Sequence, residues 1–256
     1  MIQAYRAELG RAFRPPYEVP LVIVLNGLLM AAAWFWLPPT WLFSMHQARV
    51  FPIVLASWMY ADVPATNVLG SASQRMGALL DKPAALRRAL AAKSVVLWSM
   101  VTPICLVVCY FTWRTTHESV VIMVCTMVIL AVAPFGALGV AGWLGIWFPY
   151  HALSLEDRWT HRRPYGRMIV RWSALVLIPY VLVPALASLV LAPVLLGWRA
   201  SGASWATVSD TGLAVGAAVL VVISAVVWRV GLAVGVRMAR HRRAVLGPFL
   251  ADPLNG

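Results

Sequence analysis

Six long apolar runs constrain this sequence more than any other feature. They cover residues 19–37, 50–68, 94–113, 120–148, 168–198 and 212–236. A helix needs about 20 apolar residues to cross the hydrocarbon core of a bilayer, and each run is close to that length or longer. Only 12% of the residues are charged, whereas soluble domains carry about 25%. We therefore predict an all-α integral membrane protein with six transmembrane helices.

The basic residues predict the orientation. With both termini cytoplasmic, 18 of the 21 lysine and arginine residues fall on the inner side. Only Arg49, Arg114 and Arg199 then lie outside. Such an excess is typical of the cytoplasmic loops of membrane proteins. The net charge of +12 is divided among four clusters beside the membrane, which favours contact with anionic lipid headgroups and argues against nucleic acid as a partner.

An amphipathic segment precedes the first run. Tyr5, Leu9 and Phe13 recur every four residues, and the arginines lie mostly off that stripe. This pattern predicts a helix lying on the cytoplasmic membrane surface; the alternative is a frayed, solvated terminus. The predicted boundaries are 1–16 for the surface helix, 17–244 for the six-helix domain and 245–256 for a C-terminal tail.

A polar stretch at 66–93 separates the second run from the third. Its five basic residues are Arg75, Lys82, Arg87, Arg88 and Lys93. Pro83 suits the first turn of a short helix, and Asp81 just before it is a candidate cap. Leu86 and Leu90 would share one face of that helix, with the arginine pair pointing elsewhere. We expect this cytoplasmic helix to contact a separate, energy-supplying subunit.

Four glycines spaced three residues apart mark the fourth run. They are Gly136, Gly139, Gly142 and Gly145. Small residues let transmembrane helices approach each other closely. The stripe predicts a helix–helix contact, either within the fold or at a dimer seam, or else flexibility near the inner end.

Residues suited to catalysis or proton transfer are scarce. Asp62, near the inner end of the second run, is a candidate intramembrane polar residue, but no basic partner lies in its run. The five histidines show no metal-ligand spacing, and the phosphate-binding pattern G-x-x-x-x-G-K-[ST] is absent. We therefore predict no catalytic, cofactor or metal site in this chain. An ATP-driven activity would need an ATPase on another polypeptide.

Two stretches match a known pattern. The first contains Asn67-Val68-Leu69-Gly70, then Leu79-Leu80, Pro83, Arg87-Arg88 and Lys93; the second is 142–149, which ends on Phe148-Pro149. Together they resemble the ABC-2-type permease subunits of ABC transporters, in which an Asn-x-x-Gly element, a Leu-Leu pair, a proline, an arginine and a lysine follow in this order. The chain departs from that pattern at 71–73, where a frequent aspartate is missing, and before Phe148, where polar residues are missing.

The resemblance implies a transport subunit without its own ATPase activity, in a bacterial plasma (inner) membrane. Two permeases, identical or related, would pair with two ATP-binding cassette subunits that carry ATP and Mg, and would contact membrane lipids. Within the loop 71–92, the implied ATPase-coupling residues are Gln74, Arg75, Leu79, Leu80, Pro83, Arg87 and Arg88. The transporter would export a hydrophobic or amphiphilic substrate.

Two other classes stay open at this point. A non-ABC secondary transporter or a membrane assembly factor would have no ATPase partner, and transport would depend on Asp62 and the proton gradient. An integral-membrane enzyme is the third reading, and no motif in the sequence favours it.

Overall fold

The structure, a computed structural model, describes residues 2–14, 17–36, 51–60, 63–117, 119–149, 151, 166, 169–170, 173–174, 177–178 and 209–252. Apart from turns, the described residues are helical, with no strand among them. The helices are α1 (Ile2–Ala12), α2 (Glu18–Trp36), α3 (Phe51–Tyr60), α4 (Val63–Thr66), α5 (Ser73–Leu79), α6 (Pro83–Thr116), α7 (Val120–Trp147), α8 (Asp210–His241) and α9 (Arg243–Ala251). A single 3-10 turn, Gly70–Ala72, precedes α5.

Four of these helices, α2, α6, α7 and α8, are long and apolar enough to cross a membrane. Their outward surfaces are apolar as well. Leu28, Phe111 and Val222, on three different helices, are 62% to 63% exposed. Apolar surface of this kind is unfavourable in water and suits contact with lipid. The chain is therefore a multi-pass membrane protein.

The four helices correspond to the first, third, fourth and sixth predicted spans. The second apolar run contains α3, which has only ten residues, and the four-residue α4. Neither helix reaches the length of a crossing. Asp62 and nearly all of the predicted fifth span, 168–198, lie outside the described residues.

The third span is longer than the sequence predicts. Instead of a short loop helix followed by a separate span, Pro83–Thr116 forms one helix of 34 residues. At 1.5 Å per residue it is about 51 Å long, against about 30 Å for the hydrocarbon core. Since Arg87, Arg88 and Lys93 lie in its first three turns, the excess length belongs to this polar end.

At the start of α6 the prediction for Pro83 is confirmed and the prediction for Asp81 is wrong. Pro83 occupies the first turn, as predicted. Asp81 is not the cap: the cap position is Lys82, which makes no side-chain capping bond. The carboxylate of Asp81 instead lies 2.8 Å from Arg243. Capping rules consider only neighbouring residues, so they cannot predict an ion pair with a partner 162 positions away.

Most of the described part of the predicted C-terminal tail belongs to α9. Leu246, Phe249 and Leu250 are buried, and their spacing places them on one helix face. This face packs against α5. A helix of nine residues is too short to be recognised from hydropathy alone. Its role becomes clear only from its contact with α5.

Two apolar cores stabilise the bundle. One lies between α2, α3, α6 and α7, where Tyr60 and Thr102 share a buried hydrogen bond of 2.7 Å between their hydroxyls. The other joins α5 and α9 to the adjoining ends of α6, α7 and α8. We call this second region, together with the adjoining α1, the basic end, because most of the described basic residues lie there. They are Arg6, Arg11, Arg14, Arg75, Lys82, Arg87, Arg88, Lys93, Arg237, Arg240, Arg242 and Arg243.

Among the described helices, α7 and α8 make the most extensive contact. Their backbones touch at two glycines. A Cβ on Gly139 would lie 2.8 Å from the Trp228 Cα, and a Cβ on Gly231 would lie 2.5 Å from the Gly139 carbonyl oxygen. The indole of Trp143 donates a hydrogen bond of 3.0 Å to the Gly231 carbonyl. Only glycine permits this approach.

The four glycines of α7 contact two different parts of the chain, α8 and the segment that contains Thr66 and Val68. Glycines three residues apart rotate gradually around a helix, so that the first and last of the four differ by about 180°. Gly136 and Gly139 accordingly face α8, whereas a Cβ on Gly145 would overlap the Thr66 carbonyl oxygen on the other side. Gly142 lies near the Val68 side chain. All four positions face contacts within this chain.

The α7–α8 contact predicts the effect of a single methyl group. Gly231→Ala should lower the unfolding temperature in detergent by several degrees, since overpacking costs about 1–3 kcal/mol and each kcal/mol shifts the midpoint by about 2–4 °C. The matched control is Gly216→Ala in the same helix, where a Cβ would meet nothing within 4 Å. Equal unfolding temperatures for the two variants would contradict the close contact.

Candidate functional site

A short loop before α5 is closed by two motif residues. The Asn67 side chain is buried, and its Oδ1 accepts a hydrogen bond of 3.2 Å from the Gly70 backbone N–H. Lys93, a full 25 positions after Val68, donates 2.6 Å to the Val68 carbonyl and 2.8 Å to the Ser71 hydroxyl. The Asn-x-x-Gly element and the lysine therefore act together: they fix the turn from which α5 starts.

Glu8 of α1 is the acidic centre of this region. Its side chain is only 5% exposed. Arg11 of the same helix approaches both of its carboxylate oxygens, at 2.9 and 3.1 Å. Arg75 of α5 donates to it directly. We call Glu8, Arg11, Arg75 and Lys93 the polar clamp, because they join α1, α5 and α6.

α1 is a helix, as the amphipathic pattern predicts, but its most buried side chain is polar. Tyr5 and Leu9 are partly buried, whereas Phe13 is 53% exposed and lies just past the helix end. The Tyr5 hydroxyl donates a hydrogen bond of 3.1 Å to Ser99 of α6. The helix thus packs against the protein through a mixed surface, with Glu8 rather than the aromatic stripe at its centre.

The electrostatics of the clamp favour an ionised Glu8. Burial alone would raise the pKa of its carboxyl, but hydrogen bonds from Arg11 and Arg75 and the charge of Lys93 lower the pKa below its ordinary value. The buried carboxylate is compensated by ion pairs with Arg11 and Arg75, whereas Lys93 acts on it only through its charge and donates its hydrogen bonds to Val68 and Ser71.

The opposite side of α5 packs against α9. Met76 and Leu80 are buried beside Leu246 and Leu250. A Cβ on Gly77 would lie 3.4 Å from the Leu250 Cβ. α5 is therefore bound on one side by polar groups and on the other by an apolar core.

The predicted coupling residues separate into two groups. Leu80 is buried, Leu79 packs partly buried against the same core, and Arg75 pairs with Glu8. These three residues position α5. The outward group is exposed and comprises Gln74, Pro83, Arg87 and Arg88. Among these, Arg88 makes a hydrogen bond of 3.3 Å to the Ala84 carbonyl within its own helix, and the charge of its guanidinium faces solvent.

The described residues contain no group of three or more His, Cys, Asp or Glu side chains placed to bind a metal ion. Cys105 and Cys109 are buried in the apolar core, and neither forms a disulfide. The organised polar groups in the described part of the chain lie mainly at the basic end, in the polar clamp and around α9. We therefore take α5 with its supports, together with the exposed arginines in the first turns of α6, as the candidate functional site.

Comparison with known proteins adds no assignment: no protein-family model, curated protein or solved structure matches this chain.

Removal of the Glu8 charge should release α1. Glu8→Gln keeps the side-chain shape but leaves Arg11 and Arg75 without an ionic partner, at a cost of about 1–3 kcal/mol. We expect several-fold faster hydrogen exchange in residues 2–12. Asp81→Asn is the matched control, because its ion pair with Arg243 is well exposed and contributes at most about 1 kcal/mol. Unchanged exchange in Glu8→Gln would contradict the clamp.

The lowered pKa of Glu8 predicts a dependence on acid. A carboxyl whose pKa is lower in the folded state adds stability above its unfolded pKa, and this stability is lost as the pH falls through the folded pKa. The gap in unfolding temperature between the native chain and Glu8→Gln should therefore be full at neutral pH and shrink below about pH 4. A gap that stays constant on acidification would show that the carboxylate charge is not responsible.

Proposed function

We propose that this chain is the permease subunit of an ATP-driven ABC transporter in a bacterial plasma membrane. It exports a hydrophobic or amphiphilic substrate and works with a separate ATP-binding subunit, which docks on the exposed residues of α5 and the first turns of α6. Two permeases, identical or related, complete the transporter.

The observation that carries this proposal is the state of α5. α5 is a helix of seven residues that is fixed from two sides next to the start of α6. Gln74 is exposed on α5, and Arg87 and Arg88 are exposed in the first turns of α6. A stabilised helix with an exposed polar surface is suited to transmit force from a docked partner, because its own contacts keep it from unfolding under load. A solvated loop needs neither the buried Glu8 nor the apolar contact with α9.

The motif residues of the resemblance support the same proposal physically. Asn67, Gly70 and Lys93 meet in one turn, although the lysine is distant in sequence. The turn that these residues form places α5 next to the first turns of α6. The four predicted membrane helices that are described also suit a permease.

The source of energy is external in this proposal. The sequence contains no phosphate-binding loop. Outside the first turn of α8, where Asp210 lies, the four described spanning helices carry no Asp or Glu from residue 19 onward. A proton relay through these helices would need such groups, which favours a partner ATPase over a proton gradient.

Two measurements test the proposal. Gentle detergent extraction of the tagged full chain should yield a stoichiometric ATPase subunit, identified by mass spectrometry. Arg87→Glu with Arg88→Glu should then weaken that association by about tenfold or more, equivalent to about 1.4 kcal/mol, because the reversed charges repel an acidic docking surface.

The matched control reverses two exposed arginines at the end of α8, Arg237→Glu with Arg240→Glu. It changes the net charge equally and should leave the complex intact. If both pairs weakened the complex to the same extent, net charge rather than the surface at the start of α6 would be responsible. A chain that is extracted without any ATPase would exclude the ABC assignment.

A further inference from the structure

α9 connects α5 to a second part of the protein. On the α5 side, Leu250 is fully buried against the position of Gly77, whose Cβ would lie only 3.4 Å from the Leu250 Cβ. Just after α5, Asp81 pairs with Arg243 at the start of α9, at 2.8 Å. The two contacts lie at opposite ends of α9; the buried apolar contact holds the helix, whereas the well-exposed ion pair adds little.

The same buried face of α9 also contacts the chain just beyond α7, through Phe249. The His151 Nε2 lies 2.8 Å from the Phe249 carbonyl oxygen, and the two rings stack at 4.4 Å with an angle of 27° between their planes. His151 is only 2% exposed. A buried imidazole that is both stacked and hydrogen-bonded has little freedom to slide.

The residue that joins α8 to α9 reinforces the same connection. Arg242 donates a hydrogen bond of 2.7 Å to the Ile146 carbonyl in the last turn of α7. Its guanidinium also lies 4.4 Å from the centre of the Trp147 ring. This cation–π contact and the charge-assisted hydrogen bond attach the base of α9 to α7.

Through α7, these contacts reach the tightest helix pair in the described structure. The backbones of α7 and α8 touch at Gly139 and Gly231, and close-packed helices of this kind move together rather than deform. A displacement of α9 therefore acts on α7 and α8 as one unit.

We propose that α9 is a strap that couples α5 to the α7–α8 pair. After its last residue α5 leads into α6, and the chain just before it contacts α7 where the Thr66 carbonyl lies against Gly145. α9 adds a route that reaches the end of α7 and is continuous with α8, so that a push on α5 also moves the α7–α8 pair. The strap itself is independent of what pushes on α5; its role in transport rests on the proposed ATPase partner.

If α9 is such a strap, a cross-link between α5 and α9 should also make the end of α7 more rigid, even without a bound ATPase. In the purified full chain, with the three native cysteines changed to alanine, Gly77→Cys and Leu250→Cys should form a disulfide. The Cβ separation of 3.4 Å is close to the range of about 3.5–4.5 Å that disulfides require. Oxidation should slow hydrogen exchange in residues 144–149 by at least about fivefold, compared with the same protein under reducing conditions.

A second variant tests the path of this effect. His151→Ala with Arg242→Ala removes the stacked ring, its hydrogen bond to the Phe249 carbonyl and the Arg242 contacts with Ile146 and Trp147, but keeps the α5 disulfide. Oxidation should then slow exchange in α5 and α9 only. The matched control for the disulfide is Gly10→Cys with Leu250→Cys, since Gly10 has no neighbour within 4 Å and should form no cross-link.

Three results would overturn the strap: failure of the Gly77→Cys and Leu250→Cys pair to cross-link, no slowing in 144–149 after oxidation, or slowing there that persists with His151→Ala plus Arg242→Ala. If an ATPase partner is isolated, this double variant should keep it bound but change its ATP turnover from that of the native complex; unchanged turnover would also overturn the role in transport. If no partner exists, the proposed function fails, and the exchange experiment still decides whether the strap exists.

Discussion

The contact between α7 and α8 is the constraint on which the rest of the described structure depends. At Gly139 and Gly231 the two backbones meet with no side chain between them. This contact brings the last turn of α7 beside the C-terminal part of α8, so that Arg242 reaches the Ile146 carbonyl. The second apolar core forms where these helix ends meet α5, α6 and α9. If α7 and α8 stood farther apart, α9 would lose one of the two surfaces on which it packs.

α5 illustrates how a marginal element becomes stable. A helix of seven residues has too few hydrogen bonds to form by itself in water. Its stability must come from tertiary contacts, and the structure supplies two kinds. The polar clamp fixes its first turns through Arg75, whereas apolar side chains of α9 cover Met76 and Leu80. Both contacts leave the outward face free, and the proposed function requires that face for docking.

The two supports of α5 also lead to different parts of the protein. The clamp reaches α1 and α6, since Glu8 pairs with Arg75 and Tyr5 bonds to Ser99. The strap leads to α7 and α8. A movement of α5 is thereby shared among most of the described helices, although α5 itself touches few of them. In the proposed transport cycle, one docking event must reorient a whole membrane domain, and a movement that is shared among many helices suits this requirement.

The sequence by itself determined the helical class, the four described spans, the helical N-terminus and the place of Pro83. These depend on local properties: the length of an apolar run, its periodicity and the fixed backbone angle of proline. The Asp81 cap was a wrong prediction, because a distant charge decided the contact of that side chain, whereas the second and fifth spans stay predictions. Glu8 and Arg75 are 67 positions apart, and Asp81 and Arg243 are 162 positions apart. No local pattern specifies which charge meets which, so the clamp, α9 and the two-sided support of α5 were decided only by the tertiary structure.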